Sequence, residues 1–239
     1  MAITKLKALG VTDGTLTNTQ INASAAIAKS KLASLDIVNA DVNASAAIAA
    51  TKLGTMAAAN MPDGSWIELH TVSLGVAASE IVFNNTYVNV TYDDYVMIGK
   101  SVIPATDGAE PWITTSTDNG SSNVTTNGGR HYLPISGSGG HGNELSTGQT
   151  YIQLGTDVGN DANEGGSFIA WFYGLNNTSF NKFMNFRYVA KHINQDYTWA
   201  GGANMETTSA INYLRFMFST GNIAAGTRIS LYGIKGSNF

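Results

Sequence analysis

Two kinds of periodicity divide the chain. From about residue 66 onward, short apolar runs recur at 66–74, 80–83, 87–92, 95–103, 112–115, 151–154, 167–173, 183–189, 211–218 and 227–234, separated by Gly, Asn, Asp and Ser. Runs of this length between turn residues predict strands, and their repetition predicts an all-β sandwich or barrel. Several alternate cleanly. Leu214, Phe216 and Phe218 fall on one face against Tyr213, Arg215 and Met217, and Ile229 and Leu231 oppose Arg228, Ser230 and Tyr232. Such strands have one buried face and one turned to water or to another subunit. Asp118-Asn119-Gly120 predicts a hairpin turn, as does Gly221-Asn222 between the last two strands. Sequential hairpins imply an antiparallel sheet. The polar stretches 116–148 and 194–209 read as long rim loops, where recognition is expected.

Residues 1–62 follow a different rule. Residues 21–32 read INASAAIAKSKL and residues 42–53 read VNASAAIAATKL, identical at nine of twelve positions at an offset of 21. That offset is three heptads, and a 4,3 walk picks out Ile21, Leu32, Leu35, Val42, Leu53 and Met56 as an anchor or seam between parallel chains, with Ala25, Ala28, Asn39, Ala46 and Ala49 between them. The seam is narrow, alanine-rich and interrupted at Asn39. Short helices capped by Ser24 and Ser45 and joined by extended pieces are therefore expected rather than one continuous helix. One copy has too little apolar surface to fold alone, so the segment reads as a stalk that associates. Composition changes at Met61-Pro62-Asp63-Gly64, and Trp66 is the first aromatic residue. The expected domains are thus a stalk, 1–62, and a head, 63–239.

Charged residues make up 13% of the chain, with 26 glycines and a net charge of -4. The usual charged fraction is about 25%, so the surface is neutral and turn-rich. The 13 basic residues are scattered, which leaves no basic face for a phosphate backbone, and nucleic acid is not an expected partner. There is no cysteine for disulfides or thiolate metal sites. No apolar run is long enough to cross a membrane as a helix, and residues 1–14 lack the apolar core of a secretory signal; synthesis in a cytoplasm is expected.

Catalytic chemistry finds little footing. Asp93 and Asp94 lie between Tyr92 and Tyr95, where a strand-joining turn is the plainer reading than a paired-carboxylate site. Asp157, Asp161 and Glu164, with Asn160 and Asn163, are oxygen donors for a hard cation such as calcium, but their spacing fits no known calcium loop. His70, His131, His141 and His192 are dispersed, His141 in a glycine-rich setting; no nucleophile elbow or phosphate-binding loop occurs. The chain is read as a non-enzyme without a cofactor. Aromatic residues in polar surroundings are the better binding candidates, because their faces stack on sugar rings. Trp112, Tyr132, Tyr197 and Trp199 are the glycan-binding candidates, with Trp199, between Tyr197 and Gly201-Gly202, the foremost.

The closing segment carries a family resemblance. Ala210-Ile211-Asn212 leads a strand, Ser219-Thr220-Gly221-Asn222-Ile223-Ala224-Ala225-Gly226-Thr227 punctuates it, and Leu231-Tyr232-Gly233-Ile234 follows. Together with Trp66, Tyr95-Val96-Met97-Ile98 and Ser116-Thr117-Asp118-Asn119-Gly120, this resembles the C-terminal domains of bacteriophage tail-fibre and head-decoration proteins over most of residues 66–236. The resemblance implies a virion structural protein, a homotrimer and a jelly-roll-like β-sandwich head. Two roles follow as expectations: a capsid decoration or cement protein anchored on the major capsid protein by its N-terminal segment, or a tail fibre that binds a host surface glycan. The short stalk favours the capsid.

Overall fold

A computed structural model of the chain describes residues 61–134, 142–192 and 195–236. The chain divides into two units, Met1–Gly54 and Thr55–Phe239, and every described residue belongs to the second. The stalk and its seam residues Ile21, Leu32, Leu35, Val42, Leu53 and Met56 lie outside the described residues.

Among the described residues there are twelve strands and no helix. They are β1 (Trp66–Ser73), β2 (Glu80–Phe83), β3 (Tyr95–Val102), β4 (Pro111–Ser116), β5 (Thr126–Pro134), β6 (Gly142–Gln149), β7 (Ile152–Gln153), β8 (Gly165–Tyr173), β9 (Lys182–His192), β10 (Gln195–Met205), β11 (Tyr213–Phe218) and β12 (Arg228–Ile234). One sheet has eight strands in the order β1-β12-β3-β8-β9-β10-β5-β6, and the other has four in the order β2-β11-β4-β7. All pairings are antiparallel.

The period-2 pattern explains the layering. Phe216 and Phe218 of β11, Ile113 of β4 and Phe83 of β2 are buried together with Met97 of β3, Phe168 and Phe172 of β8 and Leu231 of β12 in a single core cluster. Phe168 stacks on Phe216 across the two sheets with ring centroids 5.3 Å apart. That stack requires Gly99, directly opposite Phe168 on β3, because a Cβ there would lie 2.2 Å from the ring. The core continues along the wide sheet through Met184, Phe186, Tyr188 and Met205, where β7 and its flanking loops supply Ile152 and Leu154.

Four expectations are corrected. Residues 116–148 and 194–209 are not simply loops: they contain β5, β6 and β10. Glycine weakens a strand by removing a packing side chain, yet here it is required, since a Cβ at Gly201 would lie 2.4 Å from the Gly129 carbonyl oxygen and 2.8 Å from the Phe186 ring. Residues 87–92 form turns instead of a strand, because the Asn84 and Asn89 side chains accept the amides two residues on, from Thr86 and Thr91, each at 3.0 Å. The turns at Asp118-Asn119-Gly120 and Gly221-Asn222 do not close hairpins. The first leads from β4 to β5 and the second from β11 to β12, and each pair belongs to different sheets. The first is built around Asp118, whose carboxylate accepts the hydroxyls of Ser116 and Ser122 and the Ser122 amide; those bonds hold its pKa down at about 2.

Trp199 is the clearest reversal. It was expected on an exposed loop, but it lies on β10, is 2% exposed, and packs with Tyr188 at 5.5 Å. Trp199→Ala is therefore expected to cost about 3–5 kcal/mol of folding stability, measured by chemical denaturation; a loss below about 1 kcal/mol would show that the ring is not core.

Candidate functional site

The sequence candidates scatter over the fold. Asp94 accepts the Gly174 amide at 2.8 Å and the Asp93 carbonyl accepts the Leu175 amide at 2.7 Å, so the pair latches the start of β3 to the loop after β8. Burial raises the pKa of Asp94, the Gly174 amide opposes that rise, and the charge of Asp93 adds to it. Asp157, Asp161 and Glu164 do not converge: among the described residues no three acidic or histidine side chains could share a metal ion. Glu164 instead accepts the Asp161 amide at 3.2 Å, closing their own loop.

His70 stacks on Tyr87 at 4.4 Å, and His131 Nδ1 lies 2.8 Å from the Asn143 side-chain oxygen across the β5–β6 pair. His141 and the side chain of His192 lie outside the described residues. The glycan candidates do not form one platform. Trp112 stacks on Tyr151 at 4.0 Å on the narrow sheet and donates its Nε1–H to Glu110. Tyr197 is half-buried against Trp199 at 5.2 Å, and Tyr132 lies opposite Trp199 on β5, its side chain outside the described part.

What the fold does assemble is an aromatic cleft at the end of the β8–β9 hairpin. Tyr173 closes β8 and pairs with Phe183 of β9; both point away from the core, and the loop between them carries Phe180. Phe180 is 68% exposed and Phe183 53%. With Gly174, Asn177 and Asn181 they line a cleft of about 350 Å³ that no charged side chain enters.

The loop is held from below. Lys182 is fully buried, and its ammonium donates to the carbonyl oxygens of Asn177, Phe180 (3.0 Å) and Thr207 (3.2 Å). Desolvation pulls its pKa below the ordinary lysine value. Asn177 Oδ1 accepts the amides of Ser179 and Phe180 at 2.7 and 3.0 Å, and Leu175 is buried in the core. An exposed phenylalanine is thus presented on a loop whose amides at Asn177, Ser179 and Phe180 and carbonyls at Asn177 and Phe180 are all bonded. Reasoning from sequence passed over Phe180, although an isolated phenylalanine in the polar segment Asn176-Asn177-Thr178-Ser179 was a signal that could have found it.

The two outer sheet surfaces differ sharply. On the narrow sheet, Arg215 bonds Thr114 (3.0 Å), Glu80 (3.2 Å) and Asn123 (3.3 Å) beside the Trp112–Tyr151 stack. On the wide sheet, Tyr232, Val96 and Trp171 form one cross-strand row, and Ile98 and Ile169 meet in the next. Val96 is fully buried although it is absent from the core cluster, which places it under its outer neighbours. Trp66, Val189, Leu133 and Leu145 leave further apolar surface exposed, Leu145 at 80%.

No family model matches the chain, and no curated protein or solved structure matches it.

Replacing Lys182 with Met keeps the stem and strands three carbonyls. Lys182→Met is expected to cost about 1–3 kcal/mol and to accelerate amide exchange across residues 177–181; unchanged exchange there would show that the lysine does not hold the loop.

Proposed function

We propose that the chain is a structural component of a bacteriophage particle: a homotrimeric capsid decoration or cement protein whose N-terminal segment attaches to the capsid and whose β domain projects outward. The observation that carries this reading is an apolar stripe on the outer face of the eight-stranded sheet, where Tyr232, Val96 and Trp171 lie beside Ile98 and Ile169, with Asn185 and Arg187 next to them. A monomer rarely leaves such a face open, whereas a closed symmetric assembly covers it with copies of itself. Central outer residues such as Ile98, Ile169 and Trp171 are then interface residues, and Arg187, in the same row as Ile169, is the charge that sets register between copies.

Strand order supports a jelly-roll reading. Taking β1, β2, β3, β4, β7, β8, β11 and β12 in turn as eight strands, the sheets run first-eighth-third-sixth and second-seventh-fourth-fifth. That order agrees with a jelly-roll reading, an architecture used in viral capsid and lectin domains. The β5–β6 and β9–β10 hairpins then become insertions that widen one sheet. The resemblance of residues 66–236 to phage head-decoration and tail-fibre domains supplies the setting, and three anchors acting together supply strong attachment from weak contacts.

A second reading, a tail fibre recognising a host surface glycan, is favoured by the aromatic cleft at the β8–β9 end. Copy number separates the two. Quantitative mass spectrometry of purified particles is expected to give hundreds of copies against the major capsid protein, and deletion of residues 1–62 is expected to abolish attachment while the β domain stays folded. A few dozen copies or fewer would move the chain to the tail, and capsid binding by the truncated chain would remove the anchor from residues 1–62.

A further inference from the structure

The cleft between Tyr173, Phe180 and Phe183 combines exposed aromatic rings with uncharged polar groups. We propose that it binds a neutral pyranoside, with the apolar face of one sugar ring against Phe180 and Phe183 and ring hydroxyls bonded to the amides of Asn177 and Asn181 and to the Tyr173 hydroxyl. The inference stands apart from the assembly role and holds whether the chain sits on a head or a tail.

Three features select this occupant. First, the lining has no charged side chain to pair with an ionic ligand, and a volume of about 350 Å³ suits one or two rings. Second, the polar groups at the rim have capacity to spare. Asn177 uses its side-chain oxygen on Ser179 and Phe180, leaving its amide nitrogen to donate, and Tyr173 accepts from Asn185 Nδ2 at 3.0 Å, leaving its hydroxyl proton to donate. A sugar offers both an apolar ring face and hydroxyls, matching aromatic rings edged by such donors. Third, the aromatic patch is bounded. On β9 Asn185 follows Phe183 and on β10 Asn204 lies beside it, so polar side chains close the patch on those two strands, while on β8 Trp171 is the next outward residue to Tyr173. A stable protein partner buries about 800 Å² on each side, far more than three rings present.

Preorganisation strengthens the case. The buried Lys182 and the Asn177 turn hold the backbone beneath Phe180 before any ligand arrives, so only the ring itself is ordered on binding.

The test titrates the purified full-length chain with the methyl pyranosides of glucose, galactose and mannose and with their neutral disaccharides, observed by saturation-transfer NMR. At least one sugar is expected to bind, and Phe180→Ala is expected to weaken it by about tenfold or more, with solution mass and thermal unfolding unchanged. Asn181→Ala, which removes a hydroxyl partner and no ring, is expected to weaken the same sugar, while Trp112→Ala leaves it unaffected. Absence of binding across the panel, or binding that Phe180→Ala leaves intact, would overturn the proposal. A drop in solution mass on Phe180→Ala would overturn it too, by giving the cleft to a second copy of the chain. The assembly reading fails separately, if the unmodified chain stays single while sugar still binds.

Discussion

Eight strands face four, and that inequality governs the molecule. The four-stranded sheet covers the inner side of β1, β12, β3 and β8, and Phe168 against Phe216 marks where the two layers meet. Beyond that overlap β9 and β10 bury Phe186, Tyr188 and Trp199, with Phe168 of β8 tilted against Tyr188 and Gly155, just after β7, lying against Tyr188 and Trp199. The wide sheet also has a whole second face that nothing in the described chain covers. Its apolar rows, set beside the Arg215 network on the narrow sheet, are the physical reason for placing copies of the chain against each other there.

The same widening produces the cleft. Because β9 and β10 extend the sheet past the sandwich overlap, the loop joining β8 to β9 stands at its end with room for an exposed ring. A buried lysine gripping three neutral carbonyls is a costly way to secure a loop unless the loop's shape matters, since a buried charge must be fully hydrogen-bonded to be tolerated. The cleft thus lies at the edge of the same outer face, where Tyr173 and Phe183 follow Trp171 and Asn185 along β8 and β9, and it differs from the stripe of Val96, Ile98 and Ile169 in being small, aromatic and edged by amides.

Much of the β architecture was legible in the chain. The run at 80–83 coincides with β2, and the alternation of Leu214, Phe216 and Phe218 is the buried face of β11. What escaped were strands whose stability comes from ladder pairing and close backbone approach instead of apolar side chains. In β5 and β10 the pairs Gly128-Gly129 and Gly201-Gly202 look like loop residues until Phe186 is seen lying against Gly201. Trp199 was misplaced for the same reason: its flanks are polar and its burial is a tertiary fact. Conversely, the apolar run at 87–92 became turns because two asparagines bond their own backbone, a local competition that periodicity does not register. The site was less legible than the fold, because the sequence offered Trp112, Tyr132, Tyr197 and Trp199 as isolated rings, while the rings that converge, Tyr173, Phe180 and Phe183, come from two strand ends and the loop between them.

The central claim is that the outer face of the wide sheet is an interface between copies of this chain. The most direct measurement is the mass of the purified full-length chain in solution, by native mass spectrometry or sedimentation, beside an Ile169→Arg variant. The account predicts three chains for the unmodified protein and a single chain, still folded, for the variant. An unmodified chain that remains single at micromolar concentration, or a variant that still assembles, would contradict it.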